Sequence, residues 1–276
     1  MTFEIEDAKR LSARLRWDDL DFSAFEDEPL RPDALRCVRY MHDVEFHTSC
    51  YLRDLLLGPA HHDPNLTSFL SIWAFEELWH GEALASVLAA HGEPSGSSRV
   101  GPMRDRLGVA DRIRPLAMLA GTWTIGSDLV ALQMAWGAVN EMTTQAGYAL
   151  LASNADNPVL TRLLKRIMLQ EGRHISFYAS QARTRLASSR KARRVTRSAL
   201  RHLWSPVGSK VMPRRETQHL SRYLFAGPGG ARAAERIDMK VGRLPGLAGL
   251  SLLQNWFSPL PVSDEFPVPT GSNPLP

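Results

Sequence analysis

The sequence predicts an all-α fold, a four-helix bundle followed by additional C-terminal helices. Three observations predict it. Four long segments carry apolar residues at helical spacing, no segment shows a convincing alternating strand pattern, and the connections between the four segments have unequal lengths. At 276 residues and 44% apolar composition, the chain can bury a substantial core, which excludes disorder for most of its length.

The four segments cover about residues 33–57, 64–90, 116–152 and 157–185. Asp63 stands where an N-cap is expected for the second segment, with a proline after it at the first helical position. The third segment is long and rich in Ala and Gly, so we expect an irregularity inside it.

The connections define the order of the helices. Short loops join the first segment to the second and the third to the fourth, whereas about 25 residues rich in Gly, Pro and Ser separate the two hairpins. Two hairpins joined by one long crossover is the connectivity of a ferritin-like four-helix bundle.

The rest of the chain is divided as follows. We expect short helices at about 191–204, 214–224 and 230–241, and three regions in all: an N-terminal extension (1–32), the bundle with its C-terminal helices (33–257) and a Pro-rich tail (258–276).

Each of the four segments places ionisable residues on its apolar face. The first and third carry one Glu each, and the second and fourth carry Glu-x-x-His, a spacing that puts both side chains on one helical face. Burying an unpaired carboxylate costs several kcal/mol, and a dinuclear metal site would compensate all four at once. This is the ligand pattern of carboxylate-bridged di-iron bundles, and its donors suit iron or manganese. The candidate ligands are Glu45, Glu77, His80, Glu141, Glu171 and His174.

The spacing is more specific than one motif. Chance predicts roughly half a Glu-x-x-His in this composition, and the chain has three, two of them about 30 residues after a lone Glu. The third, Glu216 with His219, lies in a polar basic region, and we interpret it as a surface pair. The alternative for the whole pattern is a bundle with buried salt bridges, for which only Arg166 and Arg173 stand on a suitable helix, the fourth.

Within the second segment, two glutamates compete for one role. Glu76 could also share a face with His80, and the choice of Glu77 rests on its symmetry with Glu171. By the same symmetry, Glu76 and Gln170 are candidates to accept hydrogen bonds from the outer nitrogens of the ligand imidazoles.

Three short motifs carry a family resemblance. The run 76–81 is similar to E-E-x-x-H-G, the run 171–174 matches the end of D-E-x-R-H, and Glu141 with Thr144 matches E-x-x-T. On these motifs the chain resembles the soluble acyl-carrier-protein desaturases of the ferritin-like superfamily, bacterial relatives included. The resemblance covers roughly residues 33–250, and only the ligand helices are specific.

The resemblance implies two iron ions bound by the six candidate ligands. It also implies that the Thr144 hydroxyl lies beside the oxygen-binding face; the alternative is a helix-interior threonine bonded to the preceding turn. The family has Asp where this chain has Gln170, a departure that bears on reduction potential and electron delivery.

We expect O2-dependent oxidation of an acyl chain on acyl carrier protein, or another acidic carrier, by desaturation or hydroxylation. The chain has no flavin, nicotinamide or iron–sulfur motif, so a ferredoxin-type donor is expected, together with a homodimeric assembly. One alternative is a di-iron N-oxygenase or hydroxylase of a specialised metabolite. A second is a non-catalytic ferritin-like metal-binding protein.

The net charge of +4 hides a large asymmetry. No acidic residue stands between Glu171 and Glu216, where Lys and Arg number twelve, so the remainder of the chain carries −8. An acidic carrier or ferredoxin could dock there; the alternatives are a solvated face and nucleic acid, the latter least favoured. The candidate docking residues are Arg190, Arg193 and Arg194.

Composition also predicts a cytoplasmic protein. The two cysteines, Cys37 and Cys50, lie in one predicted helix, roughly 20 Å apart at its rise per residue, too far to bridge. No apolar run reaches the ~18 residues of a membrane span, and the acidic first seven residues are unlike a secretory signal. The remaining histidines are predicted to be surface or capping groups: His42, His47, His61, His62, His91 and His202.

Overall fold

The structure is a computed structural model that describes residues 5–105, 107 and 109–258. Within these residues it contains twelve α-helices, one short 3-10 helix and no strand. The prediction of an all-α helical bundle is therefore confirmed.

The helices are α1 (Ile5–Leu11), α2 (Ala24–Asp27), α3 (Pro32–Leu56), α4 (Pro64–Ala90), α5 (Ser97–Asp105), α6 (Val109–Ile125), α7 (Asp128–Ala155), α8 (Pro158–Ser188), α9 (Arg190–Leu203), α10 (Arg214–Phe225), α11 (Pro228–Gly242) and α12 (Leu252–Phe257), and the 3-10 helix is Pro59–His62.

Two of the four long helices begin with side-chain caps. The carboxylate of Asp63 accepts from the backbone N–H groups of Asn65 and Leu66, as its predicted N-cap role requires. The side chain of Asn157 accepts from the N–H of Leu160 in the same way at the start of α8. Each cap satisfies backbone donors that the first helical turn leaves without an intrahelical partner.

The region before α7 differs in detail from the prediction. The expected irregularity is a break at Gly126, whose left-handed φ of +73° separates α6 from α7. The ammonium of Lys191 donates to the carbonyls of Thr124 and Ile125, which stabilises the end of α6. The predicted crossover loop also contains α5 and the start of α6, which its Gly, Pro and Ser content obscured.

The four long helices pack as two hairpins against each other. Helix α3 packs on α4 and α7 on α8, while further contacts join α3 to α7 and α4 to α8. Helices α9, α10 and α11 pack on α7, with α9 also on α8 and α10 also on α3. One main apolar core extends through the bundle and reaches the C-terminal helices.

The described part of the N-terminal segment packs against the bundle and contributes to its main core. Helix α1 packs on α4, and Leu20 and Phe25 of the N-terminal segment are buried in the main core. The Pro-rich tail from residue 259 lies outside the described residues. Cys37 and Cys50 are both free thiols. Among the described helices, none is both long and apolar enough to cross a bilayer.

Candidate metal centre

The structure brings all six predicted ligands together inside the bundle. Each side chain is buried, and the donor atoms form two overlapping groups in which all atoms lie within 4.8 Å of one another. Two glutamates belong to both groups and lie between the two positions. The first group is Glu45, Glu77, His80 and Glu171, and the second is Glu77, Glu141, Glu171 and His174.

Hydrogen bonds on the outer side fix the orientation of both imidazoles. Nε2 of His80 donates to the amide oxygen of Gln170 at 2.8 Å, and Nε2 of His174 donates to a carboxylate oxygen of Glu76 at 2.8 Å. Because these acceptors require a proton on Nε2, Nδ1 is the nitrogen each neutral ring offers to a metal ion. Glu76 and Gln170 thus lie where the sequence predicted them.

The two Nδ1 atoms point into the carboxylate cluster. Nδ1 of His174 lies 3.1 Å from a Glu77 oxygen, 3.3 Å from a Glu171 oxygen and 3.7 Å from a Glu141 oxygen. Nδ1 of His80 lies 3.5 Å from Glu171 and 3.7 Å from Glu77. A cation seated among these atoms would be coordinated by the two imidazole nitrogens and the carboxylate oxygens around them.

Several buried atoms of the cluster make no well-formed hydrogen bond to the described residues, although they lie close to one another. Nδ1 of His80, Oε1 of Glu77 and Oε1 of Glu171 are buried without a hydrogen bond. Such groups are costly in an apolar interior unless a ligand satisfies them, and their chemistry fits a metal ion bound by carboxylate and imidazole.

The charge balance favours metal ions over salt bridges. Within the described part of the chain, no Lys or Arg pairs with the four ligand carboxylates; Arg173 binds Glu76 at 2.8 Å, and Arg166 binds Asp19. The alternative, in which buried Arg or Lys side chains neutralise the ligand carboxylates, is therefore not supported by the described residues. Two divalent cations would balance the four ligand carboxylates.

Without a metal ion, burial and mutual contacts shift the pKa values of several of the clustered glutamates and of both histidines. Burial raises the pKa of Glu45 and Glu171 well above the ordinary range, and repulsion from Glu77 adds to this effect. Burial opposes protonation of His174, but hydrogen bonds to the surrounding carboxylates raise its pKa well above the usual value. Burial lowers the pKa of His80. Metal binding would displace these protons, so its affinity depends on pH.

Two aromatic side chains hold the outer carboxylates, and their contacts were not predicted. The Tyr148 hydroxyl donates to Glu45, and the indole N–H of Trp73 donates to Glu141 at 3.1 Å. Tyr148 is on the same apolar stripe as Glu141, and Trp73 precedes the ligands of α4 by one turn. The sequence shows that both residues lie near candidate ligands on their own helices. It does not show their hydrogen-bond partners, which lie on other helices and depend on how the helices pack.

Beside the cluster lies a cavity of about 410 Å³. Glu45, Glu77 and Glu141 form part of its wall, and the segment 205–210 forms another part. The wall is mostly apolar, and its apolar members include Met41, Val44, Leu129, Trp136, Leu224 and Phe257.

Thr144 also lines this cavity, on the same helix as Glu141. It is half-buried, and within the described residues its hydroxyl has no hydrogen-bond partner. The bond to the preceding turn, the alternative considered for Thr144, is made instead by its neighbour Thr143, which donates to the Val139 carbonyl at 2.7 Å.

The third Glu-x-x-His pair joins two helices. The Arg36 guanidinium of α3 donates to both carboxylate oxygens of Glu216, at 2.7 and 3.1 Å, and lies 3.2 Å from His219 Nδ1. The pair is half-buried, more enclosed than a surface pair, and lies outside the two groups of candidate ligands.

The predicted docking arginines differ in their surroundings. Arg190 and Arg194 are exposed, whereas Arg193 is half-buried and donates to the carbonyls of Leu186 and Ala187 at 2.7 and 3.1 Å. Arg193 therefore caps the C-terminal end of α8, and its loss would affect stability as well as charge.

The prediction that the other histidines lie at the surface or cap helices is wrong for His47, which is fully buried in the bundle. His42 is also fully buried; its Nδ1 donates to Asp43 at 2.9 Å, and its Nε2 accepts from the N–H of Gly96, just before α5. The apolar spacing of α3 could not reveal this, because it does not show where α5 packs.

No family model, curated protein or solved structure matches this chain. The fold and the site define an all-α protein with a buried Glu/His cluster that could hold metal ions. Because one fold hosts many activities, the function is inferred from the site itself.

Proposed function

We propose that the protein is a ferritin-like, O2-dependent oxidoreductase with two metal ions, and that it oxidises an apolar chain lying in the cavity beside them. Iron is the expected metal, and manganese is the alternative. The observation that carries the proposal is that Glu45, Glu77 and Glu141 are at once members of the cluster and part of the cavity wall. A substrate in the cavity would touch the metal ligands directly.

The roles of the residues follow from their positions. Glu77 and Glu171 belong to both groups of donors and could help to hold either ion, while Glu45 with His80 and Glu141 with His174 belong to one group each. When bound, two iron ions supply the activation of O2 and the oxidising power for an unactivated C–H bond. The apolar wall excludes water, which protects a reactive oxidant from side reactions.

The overall reaction must balance electrons. Desaturation takes two hydrogen atoms from the chain and, with O2, two external electrons and two protons, gives an alkene and two waters. Hydroxylation with the same inputs gives an alcohol and one water. Both need a one-electron donor, for which a ferredoxin-type protein is proposed.

The proposed substrate is an acyl chain on an acidic carrier. Two features support it: the apolar cavity, and the basic helix α9, after which the chain runs directly into the cavity wall at 205–210. Exposed Arg190 and Arg194 would meet acidic groups of the carrier or of the electron donor.

Charge reversal tests this docking. R190E/R194E should raise the KM for carrier-bound substrate, more strongly at low salt, because both arginines are exposed and long-range attraction is screened by salt. R193E is the contrasting variant, since loss of the α8 cap should lower the melting temperature. An unchanged KM in R190E/R194E at low salt contradicts the docking proposal.

A second candidate is oxygenation of an amine, as in an N-oxygenase. Gln133 lies in the cavity wall with its side-chain oxygen buried and without a hydrogen bond, so it could bind a polar nitrogen group. Conversion of amine metabolites without any reaction on acyl carriers would favour this candidate over the desaturase.

The central test is turnover by iron-loaded protein. The protein would be loaded anaerobically with two equivalents of Fe²⁺, supplied with reduced ferredoxin, acyl carrier substrate and O2, and its products analysed by mass spectrometry. We expect O2 uptake and an oxidised acyl product, lost in E77Q and retained in E216Q, which changes the third Glu-x-x-His pair. Iron binding without O2 uptake on any substrate would contradict the oxidase proposal and leave a non-catalytic metal-binding protein.

A further inference from the structure

A second pocket, of about 230 Å³, lies outside the metal cluster and is lined mainly by arginines. Helix α3 supplies Arg36 and Arg39, α5 supplies Arg99, and α10 supplies Arg215. The acidic residue in its wall is Glu216. Four guanidinium groups from three helices therefore converge on one small space.

Ion pairs with carboxylates orient the arginine side chains on α3 and α5. Their side chains are 34%, 30% and 27% exposed for Arg36, Arg39 and Arg99, and each pairs with a carboxylate. Arg39 contacts Glu93 at 3.3 Å through one nitrogen. The other N–H groups of Arg39 have no partner among the described residues. The guanidinium is thus oriented and still able to donate.

A buried network fixes the third arginine. Arg99 donates through Nε and Nη2 to the two oxygens of Asp43, at 2.7 and 2.9 Å. Asp43 is itself buried and accepts from His42, which in turn accepts from the N–H of Gly96. Nη1 of Arg99 is left outside this network.

We infer that this pocket binds a phosphate group. Guanidinium forks match the oxygens of phosphate and hold them by charge-assisted hydrogen bonds. A carboxylate presents two oxygens, which one fork satisfies, whereas a phosphate monoester presents three oxygens and up to two charges to donors arriving from several sides. Arg36 and Arg215 share Glu216, Arg39 pairs with Glu93 and Arg99 pairs with Asp43, so four guanidiniums face three carboxylates and one positive charge is left in excess.

The pocket also lies next to the proposed substrate cavity. Tyr40 is part of both walls, and the segment from Ser205 to Arg215 contributes first to the cavity and then to the pocket. A phosphate in the pocket would therefore lie near Tyr40, which also lines the cavity. The inference concerns binding alone and holds whether or not the proposed oxidation is correct.

Calorimetric titration of metal-free full-length protein tests the inference. The probes are inorganic phosphate, pantetheine 4′-phosphate and, as the neutral counterpart, pantetheine. We expect both phosphates to bind and pantetheine not to bind, with affinity that falls as NaCl is raised. If pantetheine 4′-phosphate binds more tightly than inorganic phosphate, the ligand is a phosphate carried on a pantetheine-like arm. If the two bind equally, the pocket recognises the phosphate group alone. Either result supports a phosphate site.

Variants locate the binding. R39Q/R215Q should weaken phosphate binding at least tenfold, and R232Q, which removes an exposed arginine of α11, should leave it unchanged. If the double variant does not fold, R215Q alone changes a side chain that is 82% exposed and should weaken binding about threefold. No phosphate binding to the wild type, or equal binding in R215Q and wild type, would overturn the inference and leave the arginines as ties between α3, α5 and α10.

Discussion

The two hairpins present the same ligands but support them differently. In the α3–α4 hairpin, His80 donates to the neutral amide of Gln170, and in the α7–α8 hairpin, His174 donates to the carboxylate of Glu76. Glu76 is in turn held by Arg173 at 2.8 Å. Symmetric ligands with asymmetric supports make the two proposed metal positions inequivalent.

The asymmetry has a direction. Burial opposes the charge of Glu76, but hydrogen bonds to His174 and Arg173 outweigh it and lower the pKa of its carboxyl. An ionised acceptor makes an imidazole a more basic metal ligand than an amide does. The His174 position should therefore bind a divalent cation more tightly than the His80 position.

The largest effect is expected from removing the charged support. E76Q should weaken the tighter of the two metal-binding steps by 10- to 100-fold, the usual effect of losing such a support, and leave the weaker step nearly unchanged. Titration with Mn²⁺, followed by electron paramagnetic resonance, separates the two steps. Equal weakening of both steps would show that the two positions are not distinguished by Glu76.

Making the supports alike should have the next largest effect. Q170E places a carboxylate beside His80 and should tighten the weaker step about tenfold, which brings the two affinities together. The Gln170 amide also donates to the Ala13 carbonyl at 2.9 Å, so the same change should cost about 1–3 kcal/mol of stability. Urea unfolding of the metal-free protein measures that cost separately.

The aromatic donors offer a matched pair of smaller changes. Y148F removes the hydrogen bond to Glu45, in the group that contains His80, and W73F removes the bond to Glu141, in the group that contains His174. Each should weaken metal binding at its own position by several-fold, in line with about 1 kcal/mol for a hydrogen bond. The expectation fails if either variant weakens the other position more than its own.

The smallest effect concerns the Glu-x-x-His pair outside the centre. Hydrogen bonding to Arg36 lowers the pKa of Glu216 below its ordinary value of 4.5. The pair therefore stabilises the fold above about pH 4.5 and loses this contribution as pH falls through the folded-state pKa. Wild type should exceed E216Q by up to about 1 kcal/mol at pH 7, and less below pH 4.5. Urea unfolding from pH 3 to 7 checks the slope, and a difference that grows on acidification contradicts it.

Periodicity predicted much of the fold because four helices are long enough to average out local exceptions. The caps at Asp63 and Asn157 mark the starts of two of them, α4 and α8. The ligands stand out because an ionisable residue on an apolar stripe violates local patterning. Helix α5 was missed because nine residues that contain glycine and an internal proline carry little periodic information. The sequence predicted an irregularity within residues 116–152 but not its position, which the structure places at Gly126.

Contacts between helices could not be predicted from one sequence. The supports at Glu76 and Gln170 followed from symmetry within the motifs, whereas the bonds of Tyr148 to Glu45 and Trp73 to Glu141 depend on how α3, α4 and α7 pack. The arginine pocket depends likewise on where α5 and α10 meet α3. Arg193 was predicted to be a docking residue because it lies in a basic run. The structure shows that its side chain donates to the carbonyls at the end of α8, a contact that the sequence did not predict.

Metal stoichiometry tests the central claim most directly. Apoprotein is loaded with Fe²⁺ under anaerobic conditions, desalted and analysed by mass spectrometry for metal, with H174A, H80A and H219A treated in parallel. The account predicts two ions per chain for the wild type and H219A, and no more than one for H174A and H80A. Fewer than two ions in the wild type, or two ions in H174A or H80A, would contradict it.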